Sequence, residues 1–427
     1  MKTVIFEFEW RDIPGQGEPA LCATMADFAI RVGDEYVTQI HDKKAKTVRN
    51  SVITPLYTVA EWLASQWWCL LDECESPTRS TDFANRHLLR VAERGFVLPD
   101  LLFRPDGESV CLEWRPRRTS FANVDFINSG TVDATVAMLR DELRDFIDAV
   151  VTRLDACGIR ETWLQQEWDA IGSVDPDEEQ FCRTAGRLGS DPYSLDDSIA
   201  NAIQRGAGSL TASMWNDCQC VVHPNRLGDA IDWIEKGVVK FKSDLTPQEH
   251  LPGSLRDLRL QSTQRSPWDR GYEIAHSVRH ALHLSDDQCL DLPGIFSSGL
   301  SPTVSHALPW LGLDAVELVM KGFIPRLVTT KTRPDSQRFL FARALMDCVM
   351  ENAEEHQLLT AASTARQQQG RAFAAELLAP ARLIQNKIGS TTVSRDQIDD
   401  LAQELTVSTH VVEHQIRNHH LATIVSD

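Results

Sequence analysis

Side chains able to ligate a metal or move a proton gather at three places in this chain. His276, His280 and His283 stand at i, i+4 and i+7, with Glu273 one turn earlier, a spacing compatible with metal ligation. Ala275, Val278 and Leu282 form the apolar stripe of the same stretch, so the histidines fall on its flank. A solvated face is the favoured reading there. Cys218 and Cys220, with His223 nearby, form the tightest thiol cluster. A C-x-C spacing can bind metal, but no second pair follows, and buried or incidental thiols are favoured. Glu351, Glu354, Glu355 and His356 make a third donor set, in an acidic segment that reads more simply as solvated. One cationic run stands apart: Arg115, Arg117 and Arg118. It suits a phosphate or an acidic partner; a solvated strand end is the plainer reading.

The elements that must position these groups follow from apolar spacing. Val4, Phe6 and Phe8 alternate with Glu7 and Glu9, which predicts a half-buried strand. Ala26 to Val32, Gly33-Asp34 and Tyr36 to Ile40 read as a hairpin. Leu56 to Leu71 reads as one strongly apolar helix whose Trp62, Trp67 and Trp68 anchor a core. Phe83 to Arg94 reads as a second helix ended by Gly95. Leu101 to Arg104 and Ser109 to Trp114, around Pro105-Asp106-Gly107, form another hairpin. Thr131 to Cys157 predicts a long helix, and a helical region continues to about residue 245. Leu245 to Pro267 is a polar connector. Beyond it, Phe339, Phe341, Leu345 and Val349 carry one helical stripe, and Phe373, Leu377 and Leu378 carry another that stops at Pro380. Ahead of the first of these, Pro325 to Thr330 reads as a strand. The sequence thus predicts an α+β protein: a mixed domain over 1–128, a helical middle over 129–250, and a mainly helical domain over 262–427.

Composition narrows the function classes. A net charge of −18 over 427 residues opposes a broad nucleic-acid-coating surface, because phosphate binding needs clustered Lys and Arg. The 10 cysteines show no framework spacing, which suits reduced thiols and a cytoplasmic location. No uncharged apolar run approaches the ~18 residues of a membrane span, and no signal peptide is expected.

Four blocks of the last two-fifths of the chain, in order, carry a resemblance. RFLFARALMD (338–347) looks like the RFTLAHELGH helix of the ImmA/IrrE metallopeptidases, and FAAELLAP (373–380) is similar to that family's F-A-x-x-L-L-x-P helix. PWDRGYEIAHSVRHALHL (267–284) resembles its opening helix, and LAQELTVSTHVVEHQI (401–416) its closing helix-turn-helix element. The resemblance implies a zincin-like domain over 262–427. It also places the family's first zinc-binding His on Arg343, its general-base Glu on Ala344, its second His on Asp347 and its third ligand near Gln367. Zinc takes neutral imidazole, thiolate or carboxylate. Arg343 is a permanent cation without a lone pair, and Ala344 has no base. Arg343 and Asp347, four residues apart, are expected to form an ion pair where the metal would sit.

The resemblance and these departures from its motif together imply a peptidase fold without catalysis or a cofactor, acting by protein binding in a regulatory, stress-response or phage-defence system. That setting comes from the resemblance, since ImmA/IrrE-like proteins inactivate DNA-bound repressors. The expected partner is a helix-turn-helix regulator or a defence-system subunit, held in the old substrate groove between Arg343 and the strand at Pro325. Two alternatives stand beside this. One is an active zinc peptidase with non-standard ligands. The other is a DNA-binding regulator using His410, His414 and Arg417 on the tail helix; there, packing on the peptidase core is the favoured role.

Overall fold

Alternation along Val4, Phe6 and Phe8 becomes the strand Val4–Trp10, paired antiparallel to Met25–Val32 with Val4 opposite Val32 and Trp10 opposite Ala26. The structure is a computed structural model that describes residues 3–12, 17–76, 80–107, 109–120, 122–244, 248–258, 266–296, 303–304, 312–350 and 355–425. It is a mixed α+β fold with several small sheets, and 53% of the described residues are helical. The chain divides into two units, Met1–Ile203 and Gln204–Asp427, with the division inside the helix Asp197–Ser209.

In the first unit, Met25–Val32 sits between Val4–Trp10 and Val52–Pro55 and turns through Gly33, whose φ of 61° suits a residue without a Cβ, into Glu35–Tyr36. A second sheet is built from Asp100–Pro105, Ser109–Arg115 and Gly130–Thr135, all antiparallel. Phe6 and Phe28 pack on Phe146 of the helix Val136–Ala156, at ring-centroid distances of 5.2 and 5.6 Å. Burying each such ring contributes roughly 1.5–3 kcal/mol. Trp62, Trp67 and Trp68 are all buried.

Four expected elements differ from those observed. The hairpin arm read over Tyr36 to Ile40 is only the short strand Glu35–Tyr36, and Ile40 opens a strand of another sheet. Residues 131–135, read as the start of the long helix, form a strand. Thr131, Val132 and Thr135 are β-branched and pair with Ser109–Arg115, and the Thr135 hydroxyl then caps the helix by accepting from the Met138 N–H at 3.2 Å. The stretch read as one helix from Leu56 is two, Leu56–Ser65 and Trp67–Asp72, broken at Gln66, where ψ opens to 11°. The helix expected over Phe83 to Arg94 ends at His87 and gives way to a 3-10 turn, Leu89–Ala92.

The second unit holds a sheet in the order Thr303–Val304, Arg326–Thr329, Leu313–Leu318, His356–Thr360. The first pair is parallel and the other two antiparallel. Two central helices, Pro334–Val349 and Ala365–Leu378, bury Phe341, Leu345, Phe373 and Leu377 in a common core. The opening helix Pro267–Ala281, capped by the Ser266 hydroxyl, approaches the second central helix so closely that a Cβ on Gly271 would lie 2.4 Å from the Gln369 carbonyl oxygen. Two tail helices follow. Arg395–Leu405 starts with a capping box made by Ser394 and Gln397, and Thr409–Asn418 buries Val411, Val412 and Ile416. Among the described residues no helix is long and apolar enough to cross a membrane.

Candidate functional site

The first central helix is buried along its whole second half, Leu340 through Val349, so the polar residues in that run must find partners inside the protein. Arg343 is 3% exposed. Its Nη2 donates to the Thr360 carbonyl at 2.9 Å and to Gln367 Oε1, and its Nη1 reaches Asp314 Oδ2 at 3.4 Å. Gln367 is satisfied at both ends. Its Oε1 also accepts from the Thr360 N–H at 3.0 Å, and its Nε2 donates to Asp217 Oδ2 and the Leu358 carbonyl, both at 2.7 Å.

Asp347, one turn beyond Arg343, accepts from Arg366 Nη1 at 2.8 Å. Arg366 is the hub. Its Nη1 also meets Glu317 Oε1 at 3.3 Å, and its Nη2 donates to Asp217 Oδ2 at 2.7 Å and to the Leu358 carbonyl. Asp217 is held from its other oxygen by the Thr364 hydroxyl at 3.0 Å. The pair expected between Arg343 and Asp347 is therefore replaced by two others, Arg343 with Asp314 and Arg366 with Asp347. The neighbouring strand and helix offer better-placed partners than the same helix does.

Electrostatics follow from this crowding. Burial works against the Arg366 charge, but Asp347, Asp217 and Glu317 outweigh it and hold the guanidinium firmly protonated. Burial lowers the Arg343 pKa, and the charge on Arg366 adds to the shift. Glu317 lies fully buried in the strand Leu313–Leu318; burial first, and then the Asp347 charge, push its pKa well above the ordinary carboxylate range. Burial likewise pushes up the neighbouring Cys348 thiol. Among the described residues, the Nε atoms of both Arg343 and Arg366 find no hydrogen-bond partner.

These residues do not fit zinc. Each position that would supply a ligand is taken up internally: Arg343 has no lone pair, Asp347 is neutralised by Arg366, and the Gln367 carbonyl oxygen accepts from a guanidinium and an amide. Ala344 is fully buried and carries only a methyl group. Among the described residues no group of three or more His, Cys, Asp or Glu side chains is placed to hold a metal ion.

The other candidates are dispersed. His276, His280 and His283 are exposed, and His276 faces Asp286 at 3.1 Å and Glu376 at 3.6 Å. Cys218 and Cys220 are buried on the helix Ala212–Val221, where residues two apart diverge. Glu351 and Glu354 lie outside the described residues; His356 begins a sheet strand, where burial lowers its pKa. In the first unit, Arg115 is exposed and pairs with Glu113 at 2.5 Å, and Arg118 is exposed. Arg117 is more enclosed, donating to Glu93 at 3.0 Å and to the Leu98 carbonyl at 2.9 Å. His410, His414 and Arg417 are exposed on the tail helix, with the two histidine rings 4.2 Å apart.

A cleft of about 800 Å³ opens over the Arg343 guanidinium. The opening helix contributes Trp268 and Tyr272, the first central helix Phe339 and Arg343, the second Arg371, and the tail helix His410 and His414. Lys331, just after the strand Arg326–Thr329, completes the rim; Pro325 is not among the lining residues.

The resemblance pointed to Arg343, Asp347 and Gln367 but not to their partners. Asp217 lies 150 residues from Gln367, and nothing local marks it. Glu317 did carry a signal, an acid set directly between apolar Val316 and Leu318 in LDAVELV. No protein-family model matches this chain, and no curated protein matches it.

Proposed function

We propose that the second unit is an ImmA/IrrE-like, zincin-type fold in which an arginine-centred network stands where the family holds zinc, and that the chain acts by binding a protein partner instead of by peptide hydrolysis. One observation carries this reading. Arg343, Asp347 and Gln367, the positions the resemblance assigns to zinc ligands, converge on a single buried cluster through Arg366 and Asp217. Residues up to 24 apart in sequence meet as metal ligands would, yet they present a guanidinium, a carboxamide and a carboxylate already paired with Arg366. A cation is supplied by the chain itself, so the carboxylates are neutralised without a metal.

The favoured partner is a helix-turn-helix regulator or a defence-system subunit. The test is to mix the purified chain with the helix-turn-helix protein encoded nearest to it, with and without added zinc. A stable complex on size exclusion, with the regulator intact in both conditions, is the expected result. Cleavage that stops on adding chelator overturns the reading. DNA binding through His410, His414 and Arg417 is the lesser reading. It requires duplex affinity that falls steeply with salt, and a flat response removes it.

A further inference from the structure

We propose that the cleft above Arg343 is a binding site for a small organic anion, a carboxylate or phosphate carried on a flat apolar body, with Arg371 as the residue that grips the charge. This assignment does not rest on the proposed function, because it follows from the cleft's side chains whether or not the fold descends from a peptidase.

Size comes first. At about 800 Å³ the cleft falls within the range of small-molecule sites and is far larger than a single ion needs. One wall is aromatic, with Trp268, Tyr272 and Phe339. Trp268 is 51% exposed, an unusual state for so large an apolar side chain and one that a stacked ring would relieve.

Charge comes second. Two of the cleft's acids are already answered: Asp314 lies 2.9 Å from Lys331 and 3.4 Å from Arg343, and Asp335 lies 2.8 Å from Arg333. Asp269 accepts from the Ser266 hydroxyl at the start of the opening helix. Arg371 differs. Among the described residues it has no carboxylate within ion-pair distance, and its hydrogen bond to the Thr360 carbonyl is a long one at 3.4 Å. Burial, and after it the charge on Arg343, push its pKa down to about 10, while Asp314 and Asp217 support it only from farther off. The same excess of positive charge is felt at His414, where burial lowers the pKa and His410, Arg417 and Arg371 all add to the shift. A partly buried guanidinium with open N–H donors is costly until an anion completes it. Its planar fork fits a carboxylate or phosphate with two parallel hydrogen bonds.

Calorimetric titration of the full chain tests this with five probes: phenyl phosphate, phenylacetate, adenosine monophosphate, inorganic phosphate and adenosine. The expected result is saturable binding of at least one ring-bearing anion, at least about tenfold tighter than inorganic phosphate or adenosine. Arg371→Gln should weaken it at least about tenfold, and Trp268→Ala should weaken the ring-bearing anion without changing phosphate. Preference for the nucleotide or for the carboxylate identifies the source of the ligand. If Arg371→Gln fails to fold, Lys331→Gln and Trp268→Ala carry the test, because both positions are substantially exposed. Saturation by none of the ring-bearing anions overturns the proposal, as does wild-type affinity in the Arg371 variant or, where that variant does not fold, in both of the others.

Discussion

Glu73 of the first unit and Glu317 of the second are both fully buried, and the two side chains are driven in opposite directions. Glu73, in the first unit, is gripped by a fork from Arg86, with Nε to Oε2 at 2.7 Å and Nη2 to Oε1 at 2.6 Å. His87 Nε2 lies 3.0 Å from the same carboxylate, and the His87 ring stacks on Phe83 at 3.9 Å. Burial alone would raise the Glu73 pKa, but the bonds from Arg86 and His87 outweigh it and hold the carboxyl below its ordinary range. The backbone is shaped to the pair: a Cβ on Gly189, at φ 71°, would lie 2.5 Å from Glu73 Oε1. Glu317 is just as buried, but it receives one 3.3 Å contact from a guanidinium that Asp347 and Asp217 hold more closely, and its pKa rises. Burial sets the penalty in both places, and partner geometry decides the protonation state. The first cluster pairs both oxygens of its carboxylate and leaves only His87 Nδ1 without a partner among the described residues. The second holds two arginines that disfavour each other's charge, each with an unpartnered Nε, beside an open cleft. Such incomplete satisfaction is expected at a site shaped by more than stability.

The contrast breaks most visibly at the hub. Arg366→Met strands Asp347 and Asp217 in the interior and should lower stability by about 3–5 kcal/mol in urea unfolding. A loss of less than about 1 kcal/mol would show that the network is not held by this residue.

Glu73→Gln comes next. It keeps the shape but removes the charge that Arg86 needs, and the expected loss is about 2–3 kcal/mol at neutral pH. Because the folded pKa of Glu73 is depressed, its contribution is present above the ordinary value of 4.5 and disappears as pH falls through the folded value. The gap between wild type and variant should therefore close under acid. His87 adds in the same direction. Burial depresses its pKa below 6.5, so protonation favours the unfolded chain as pH falls below that value. Unfolding followed from neutral pH downward in both proteins checks the sign.

The smallest effect is expected at the matching position of the second unit. Glu317→Gln removes a carboxyl whose ionisation the interior opposes, and should cost less than about 1 kcal/mol near neutral pH. A raised folded pKa stabilises the fold below the unfolded value, and that stabilisation is lost as pH rises through the folded value. The variant should therefore gain on wild type as pH rises. A penalty as large as that of Glu73→Gln would mean that both glutamates are charged, and the contrast would be gone.

The sequence displayed frames better than junctions. Apolar spacing located both central helices, because Phe341, Leu345, Phe373 and Leu377 keep a helical period. It misread residues 131–135, where β-branched residues share the apolar character of the helix that comes after them and only pairing with Ser109–Arg115 separates them. In the site, Arg343, Asp347 and Gln367 stood out against a motif, yet the partner of each proved to be remote. Arg366 is adjacent to Gln367 but looks like any surface arginine until Asp217 and Glu317 are brought to it. Arg371, unremarkable in sequence, becomes notable only when, among the described residues, no carboxylate lies within ion-pair distance of it and its bond to the Thr360 carbonyl is long.

Elemental analysis of the purified full chain, equilibrated with zinc and then washed free of excess, tests most directly whether guanidinium groups have replaced the metal. Well under one zinc per chain, with unfolding unchanged by chelator, is the expected result. One tightly held zinc per chain, lost on Asp347→Asn, would contradict it.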